Sequence, residues 1–146
     1  MVFIILQAKN IFMATSHTTY LGELRTENIH VYSGQKLITD APVDNQGKAE
    51  AFSPTDLVAT ALSTCMMTIM GIKARDKGLD LTGTTIETTK IMASDPRRIG
   101  EIIVEITFPK NDFSDKDKAI FAAITKSCPV SLSLHPDLKQ TIKLNW

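Results

Sequence analysis

Between Asp56 and Lys73 the chain carries no charge, and the stretch SPTDLVATALSTCMMTIMGI, from Ser53 to Ile72, holds a single thiol, Cys65, near its middle. No other segment constrains the fold as strongly. Its apolar residues, among them Leu57, Val58, Ala61, Leu62, Met66, Met67, Ile69, Met70 and Ile72, fall nearly all round a helix, which therefore needs cover on most sides. The uncharged part, Leu57 to Ile72, spans 16 residues with three threonines and a serine, whereas a bilayer span takes about 20 mostly apolar residues. It reads as a buried helix of a soluble protein with no membrane partner. A chain of 146 residues is about one domain in size and struggles to enclose such a helix alone. Two copies packing these helices together would enclose both, so a homodimer is expected.

The helix carries its own boundary signals. Ser53 stands at the cap, Pro54 at the first helical position and Asp56 where a capping box takes an acidic side chain, while Gly78 after Lys77 stops it. Upstream, TTYLGEL, NIHVYS and KLITD read as three short strands, the last two joined through Ser33-Gly34-Gln35, and Ala41 to Phe52 reads as a polar loop. Downstream, TIETTKIMAS and GEIIVEITFP read as strands around the turn Asp95-Pro96-Arg97-Arg98. DKDKAIFAAITKS follows as a helix with Phe121 and Ile124 on its apolar face, then a short helix from Pro129 to Leu134, and TIKLNW as a closing strand. The order predicts one α+β domain over residues 1–146, without repeats or linkers. Met13 begins MATSHTTY, which reads like a second start, so residues 1–12 are either an added edge strand or an over-called start.

Basic and acidic residues balance at 16 each, which removes the electrostatic reason to expect a nucleic-acid partner. The N-terminus lacks the basic region and small-residue cleavage site of a signal peptide, so the expected location is cytoplasmic. The three histidines, His17, His30 and His135, are scattered, and no paired Cys or His spacing suggests a metal; no cofactor is expected either. His17, His30 and the clusters Asp95 to Arg98 and Asp115 to Lys118 read as surface or structural groups.

Two cysteines remain, Cys65 and Cys128, 63 residues apart. Cys65 is either a small hydrophobe in a core or a reactive thiol. It lies 12 residues past the cap, about 18 Å along the axis, where the helix dipole no longer helps it ionise; activation would need a cation. Cys128 stands at the cap of the short helix before Pro129, where free amides and the dipole lower a thiol's pKa; the alternative is a purely structural cap.

FSPTDLVATALSTC, followed by CPVSLSLHP and preceded by YLGELRTENIHVYSG and DAPVDNQGKAEAFSP, resembles the OsmC/Ohr family of thiol-dependent hydroperoxide reductases from about Tyr20 to Trp146. The resemblance implies antiparallel β-sheets wrapped around long central helices in an intertwined homodimer, with active sites at the subunit interface. It implies that Cys65 attacks a peroxide as thiolate and becomes a sulfenic acid, which Cys128 resolves as a disulfide that a dithiol reductant recycles. Arg25 in LGELRTE matches the family's thiolate-stabilising arginine. The family's glutamate ten residues before the first cysteine is replaced here by Thr55, leaving Asp56 and Glu50 as the nearby carboxylates for orienting Arg25, with Asp56 equally suited to capping.

Phe52, Met66, Met67, Ile69 and Met70 would offer apolar walls near Cys65 that suit an organic hydroperoxide, or else fill the dimer core. Two further readings stand beside the peroxidase. One is a cysteine hydrolase using Cys65 or Cys128 with His135 as base and Asp137 as its orienter. The other is a non-catalytic, stress-associated binding protein of the same fold.

Overall fold

The computed structural model describes residues 13–146; the N-terminal extension read over residues 1–12 lies outside the described residues. Two compact units follow one another, the first ending at Ser53 and the second running Pro54–Trp146.

The first unit is an antiparallel three-stranded sheet in the order β1 (Ser16–Gly22), β2 (Arg25–His30), β3 (Lys36–Asp40). The sequence reading carries the first strand through Glu23 and Leu24. Those two residues instead form the hairpin turn, with φ of 50° and 62°. A two-residue turn of this twist ordinarily uses Asn or Gly, so Glu-Leu gives no turn signal. The second hairpin closes through His30 N to Gln35 O at 2.9 Å and Gly34 N to His30 O at 2.8 Å, so Val31 to Ser33 belong to the loop rather than the strand. Gly34, at φ 71°, takes the left-handed position expected of it. The polar loop after β3 folds back on itself, with Ala49 N donating to Ala41 O at 3.2 Å and Gly47 N to Pro42 O at 3.0 Å. A Cβ on Gly47 would lie 1.7 Å from the Ala41 carbonyl oxygen, so only glycine passes there.

The second unit begins with α1 (Pro54–Asp76). It ends in a Schellman turn: Gly78 has φ 68°, its N–H donates to Arg75 O at 3.1 Å, and Leu79 N donates to Ala74 O at 2.9 Å. Next come β4 (Thr85–Ser94), β5 (Arg97–Thr107), α2 (Asp115–Ile124), α3 (Pro129–Ser133) and β6 (Lys139–Asn145). Arg97 and Arg98, read as turn residues, already pair in the β4/β5 ladder. The sheet order is β4-β5-β6, and β6 runs parallel to β5, so this sheet is not wholly antiparallel as expected. A parallel neighbour needs a crossover, and α2 and α3 form it. Ser114 caps α2, accepting from Asp117 N at 3.2 Å and donating to Asp117 Oδ2 at 2.6 Å.

Helix α1 buries one stripe. Ala59, Leu62, Ser63, Met66, Met70 and Ala74 are buried at spacings of three and four, in a core shared with Ile102, Val104 and Ile106 of β5 and Phe121 of α2. Phe108, Phe113, Phe121 and Trp146 extend that core as an aromatic cluster, Phe108 stacked on Trp146 with centroids 4.6 Å apart. Val58 and Ile72 remain exposed. The hydroxyls of Thr64 and Thr68 fold back onto the carbonyls of Thr60 and Thr64, each at 2.8 Å, so they add little polarity to the helix surface. By length and composition α1 could cross a membrane, and a third of its most apolar 18-residue window is buried within the chain. The sequence reading counts only the uncharged stretch, and so finds it too short for that.

Leu62 is fully buried in this stripe, so Leu62→Ala should cost about 2–5 kcal/mol of stability. Urea unfolding measures it; a loss below about 1 kcal/mol would mean that the stripe is not the centre of the core.

Candidate active site

The first unit supplies a cation held by carboxylates. Arg25 opens β2 and pairs in register with Asp40, the last residue of β3. Its Nη2 donates to Asp40 Oδ2 at 3.2 Å and also contacts Glu50 Oε2. Asp40 is 1% exposed, and the Glu50 backbone N–H donates to its Oδ2 at 2.9 Å. That N–H is the main cause of a carboxyl pKa below its ordinary value; burial opposes it, and Arg25 adds to it. Asp40, then Glu50, hold the guanidinium proton more firmly than usual. Both contacts fall on one nitrogen of Arg25, whose side chain stays partly exposed.

Glu50 is thus the expected partner of Arg25, and Asp40 is the partner that sequence reasoning missed. Its signal was an opposite-charge pair across two strands, legible only once the β2/β3 register is known. Asp56 pairs with Lys90 of β4 at 2.8 Å, and Lys90 also donates to Thr55 Oγ1 at 2.8 Å.

The second unit brings the two thiols together. Cys65 lies half-buried at the margin of the α1 stripe, packed against the core. Cys128 is the N-cap of α3, as the sequence indicated, and its Sγ accepts from Ser131 N at 3.3 Å. The expected lowering of its pKa does not follow, because the thiol is wholly buried. Burial pushes the Cys128 pKa up, the Ser131 N–H opposes that, and the neighbouring Cys65 thiol raises it further. Cys65 and Cys128, free and 63 residues apart in the chain, thus meet at one core cluster, which buries Cys128 and against which Cys65 packs.

Met66 and Met70 are 0% exposed and belong to the core of this chain, so they are not substrate walls; Met67 and Ile69 are partly buried. The hydrolase reading finds no support in geometry. His135 Nδ1 accepts from Asp137 N at 3.1 Å, so in the neutral ring Nδ1 cannot also donate to the Asp137 carboxylate 3.7 Å away. Among the described residues no hydrogen bond or ion pair joins His135 to either cysteine. His30 bonds Ser33 Oγ at 2.7 Å on the surface. Among the described residues no group of three or more metal-ligating side chains converges.

The Asp40 carboxylate contributes stability that is present above the ordinary carboxylate pKa and is lost as pH falls through its lower folded value. Asp40→Asn should therefore lower the urea midpoint at neutral pH, with the difference from wild type closing toward acid pH. A difference that stays constant with pH would count against the ion pair.

A comparison with curated proteins gives no match. A crystal structure from Psychrobacter arcticus 273-4, provisionally named as an osmotic stress induced and detoxification response protein, is 54% identical over 92% of this chain and 97% of its own, with a TM-score of 0.88. The organic hydroperoxide resistance protein OsmC of Legionella pneumophila shares the fold at 13% identity and a TM-score of 0.73, covering 94% of this chain and 100% of its own. An organic hydroperoxide resistance protein from Elizabethkingia anophelis does so at 12% identity and a TM-score of 0.69, covering 92% and 98%. The family model for OsmC-like protein matches residues 47–143, which include both thiols, and the chain belongs to that family.

Proposed function

We propose that this chain is a thiol-dependent reductase of organic hydroperoxides, with Cys65 as the attacking thiol and Cys128 as the resolving one. The observation that carries the reading is that half-buried Cys65 packs against the same core cluster that holds wholly buried Cys128, both thiols free, in a member of the OsmC-like family. The Cys65 thiolate attacks one peroxide oxygen, the O–O bond breaks, and the alkoxide leaves and takes a proton to become the alcohol. Cys65 is left as a sulfenic acid. Cys128 then attacks that sulfur, an S–S bond replaces S–O, and water leaves; an external dithiol returns both cysteines to thiols. Cys128, kept protonated by burial and by Cys65, does not compete for the first attack.

Arg25 serves as the cation that favours the thiolate, since arginine stays charged when partly buried. Asp40 and Glu50 keep it in place on the sheet. The partly buried Ile69, one turn of α1 after Cys65, favours an alkyl hydroperoxide over hydrogen peroxide. The uncovered side of α1, with Val58 and Ile72, is read as the homodimer interface. A reducing cytoplasm suits a cycle that must return to two free thiols.

A non-catalytic binding role is the second reading, favoured by Thr55 at the position of the family's glutamate and by the stress-response name of the Psychrobacter protein. Free-thiol titration after one equivalent of cumene hydroperoxide separates the two. A peroxidase loses both thiols together, and a binding protein keeps both.

Three outcomes are expected. Cys65→Ser abolishes hydroperoxide turnover, while Cys128→Ser reacts once and stalls as sulfenic acid or over-oxidises; the reverse pattern would exchange the two roles. Arg25→Ala moves the pH at which Cys65 is alkylated upward, because a stabilising positive charge is lost. Sedimentation at micromolar concentration returns a dimer that Ile72→Asp dissociates; a wild-type monomer would remove the interface.

A further inference from the structure

Helix α3 is only five residues long, Pro129–Ser133, and so cannot satisfy its own carbonyls. The carbonyl of Ser131 is one of these, and Gln140 of β6 supplies its partner: Gln140 Nε2 donates to Ser131 O at 3.2 Å. In return, Ser131 Oγ donates to Gln140 Oε1 at 2.7 Å. One amide thus clasps residue 131 through both its side chain and its backbone. The N–H of that same residue is the donor to Cys128 Sγ, at 3.3 Å. Gln140 is itself fixed, because β6 is in register with β5 and Gln140 lies opposite Ile102, which is fully buried. A cleft of about 490 Å³ opens beside the clasp, lined by Ala122, Thr125, Lys126, Ser131, Gln140 and Ile142 among others.

We propose that Gln140 is a positioning residue for the resolving step, acting through Ser131 to hold a backbone N–H on the Cys128 sulfur while that sulfur attacks Cys65. This rests on the peroxidase reading above. In that step Cys128 gives an electron pair to the sulfur of the Cys65 sulfenic acid, the S–S bond forms, the S–O bond breaks, and hydroxide leaves with a proton as water. The oxidising equivalents come from the hydroperoxide. Burial opposes the thiolate that must form, and the backbone N–H of Ser131, with a smaller part from that of Val130, favours it. The titratable group acting directly on Cys128 is Cys65 of α1; Lys126, after α2, is exposed, and Lys139 of β6 pairs with Glu101 at 3.0 Å. Without the clasp, residue 131 is free to turn its N–H away from the sulfur.

Gln140→Leu removes both clasp bonds at similar volume, and Ser131→Ala removes only the hydroxyl bond while leaving the N–H. After one equivalent of cumene hydroperoxide, mass spectrometry gives the ratio of Cys65–Cys128 disulfide to Cys65 sulfinic acid. Gln140→Leu should slow disulfide formation by roughly tenfold, the scale of one lost hydrogen bond, with more sulfinic acid formed. Ser131→Ala should do less, because the bond from Gln140 Nε2 to Ser131 O remains. The second readout uses no peroxide: in a Cys65→Ser background, Gln140→Leu should move the pH midpoint for alkylation of Cys128 upward. A wild-type protein that keeps both thiols in peroxide would refute the peroxidase reading, while the alkylation profile still tests the clasp. An unchanged profile, or an unchanged disulfide-to-sulfinic ratio in a protein that does react, overturns the proposal. Should Gln140→Leu fail to fold, the same two measurements on Ser131→Ala decide between these outcomes.

Discussion

The buried stripe of α1 is the constraint on which the second unit depends. Leu62, Met66 and Met70 pack in one core with Ile102, Val104 and Ile106 of β5, and this fixes how the helix is rotated about its own axis. Once that rotation is set, so is the direction of Cys65, at the edge of the stripe. The crossover through α2 and α3 then brings Cys128 back to the same helix. Parallel pairing of β6 with β5 makes that return necessary, since a hairpin could not join those strands in that sense.

The two thiols differ in environment more than in helix electrostatics. A cap position and a dipole would have made Cys128 the more acidic sulfur, but complete burial outweighs both. A thiol whose pKa burial raises suits the resolving role proposed for Cys128, and a half-buried one the attack proposed for Cys65. The cap is still useful: it supplies the Ser131 N–H, which Gln140 anchors from across the crossover.

The cation site follows similar logic. Asp40 can be buried as an anion because a backbone N–H and Arg25 both reach the same carboxylate oxygen. Glu50 is the more exposed of the two carboxylates, and Asp40 the buried one. With Thr55 engaged by Lys90, this family member holds its arginine from the sheet.

The sequence by itself indicated the order of the elements and singled out the residues able to carry chemistry. The stop of α1 at Gly78 and the cap role of Cys128 rest on local signals, a residue that tolerates positive φ and a proline at a helix start, while the choice of Arg25 and Glu50 rests on the family resemblance. It misread Glu23-Leu24 as strand and passed over Asp40, because turn twist and strand register are set by cross-strand pairing. Tertiary structure alone decided that Met66 and Met70 face the core, that β6 runs parallel, that His135 holds no thiol, and that burial reverses the acidity expected of Cys128. Each of these turns on which groups are removed from water and by what neighbours. Residues far apart in the chain settle that, and no local pattern records it.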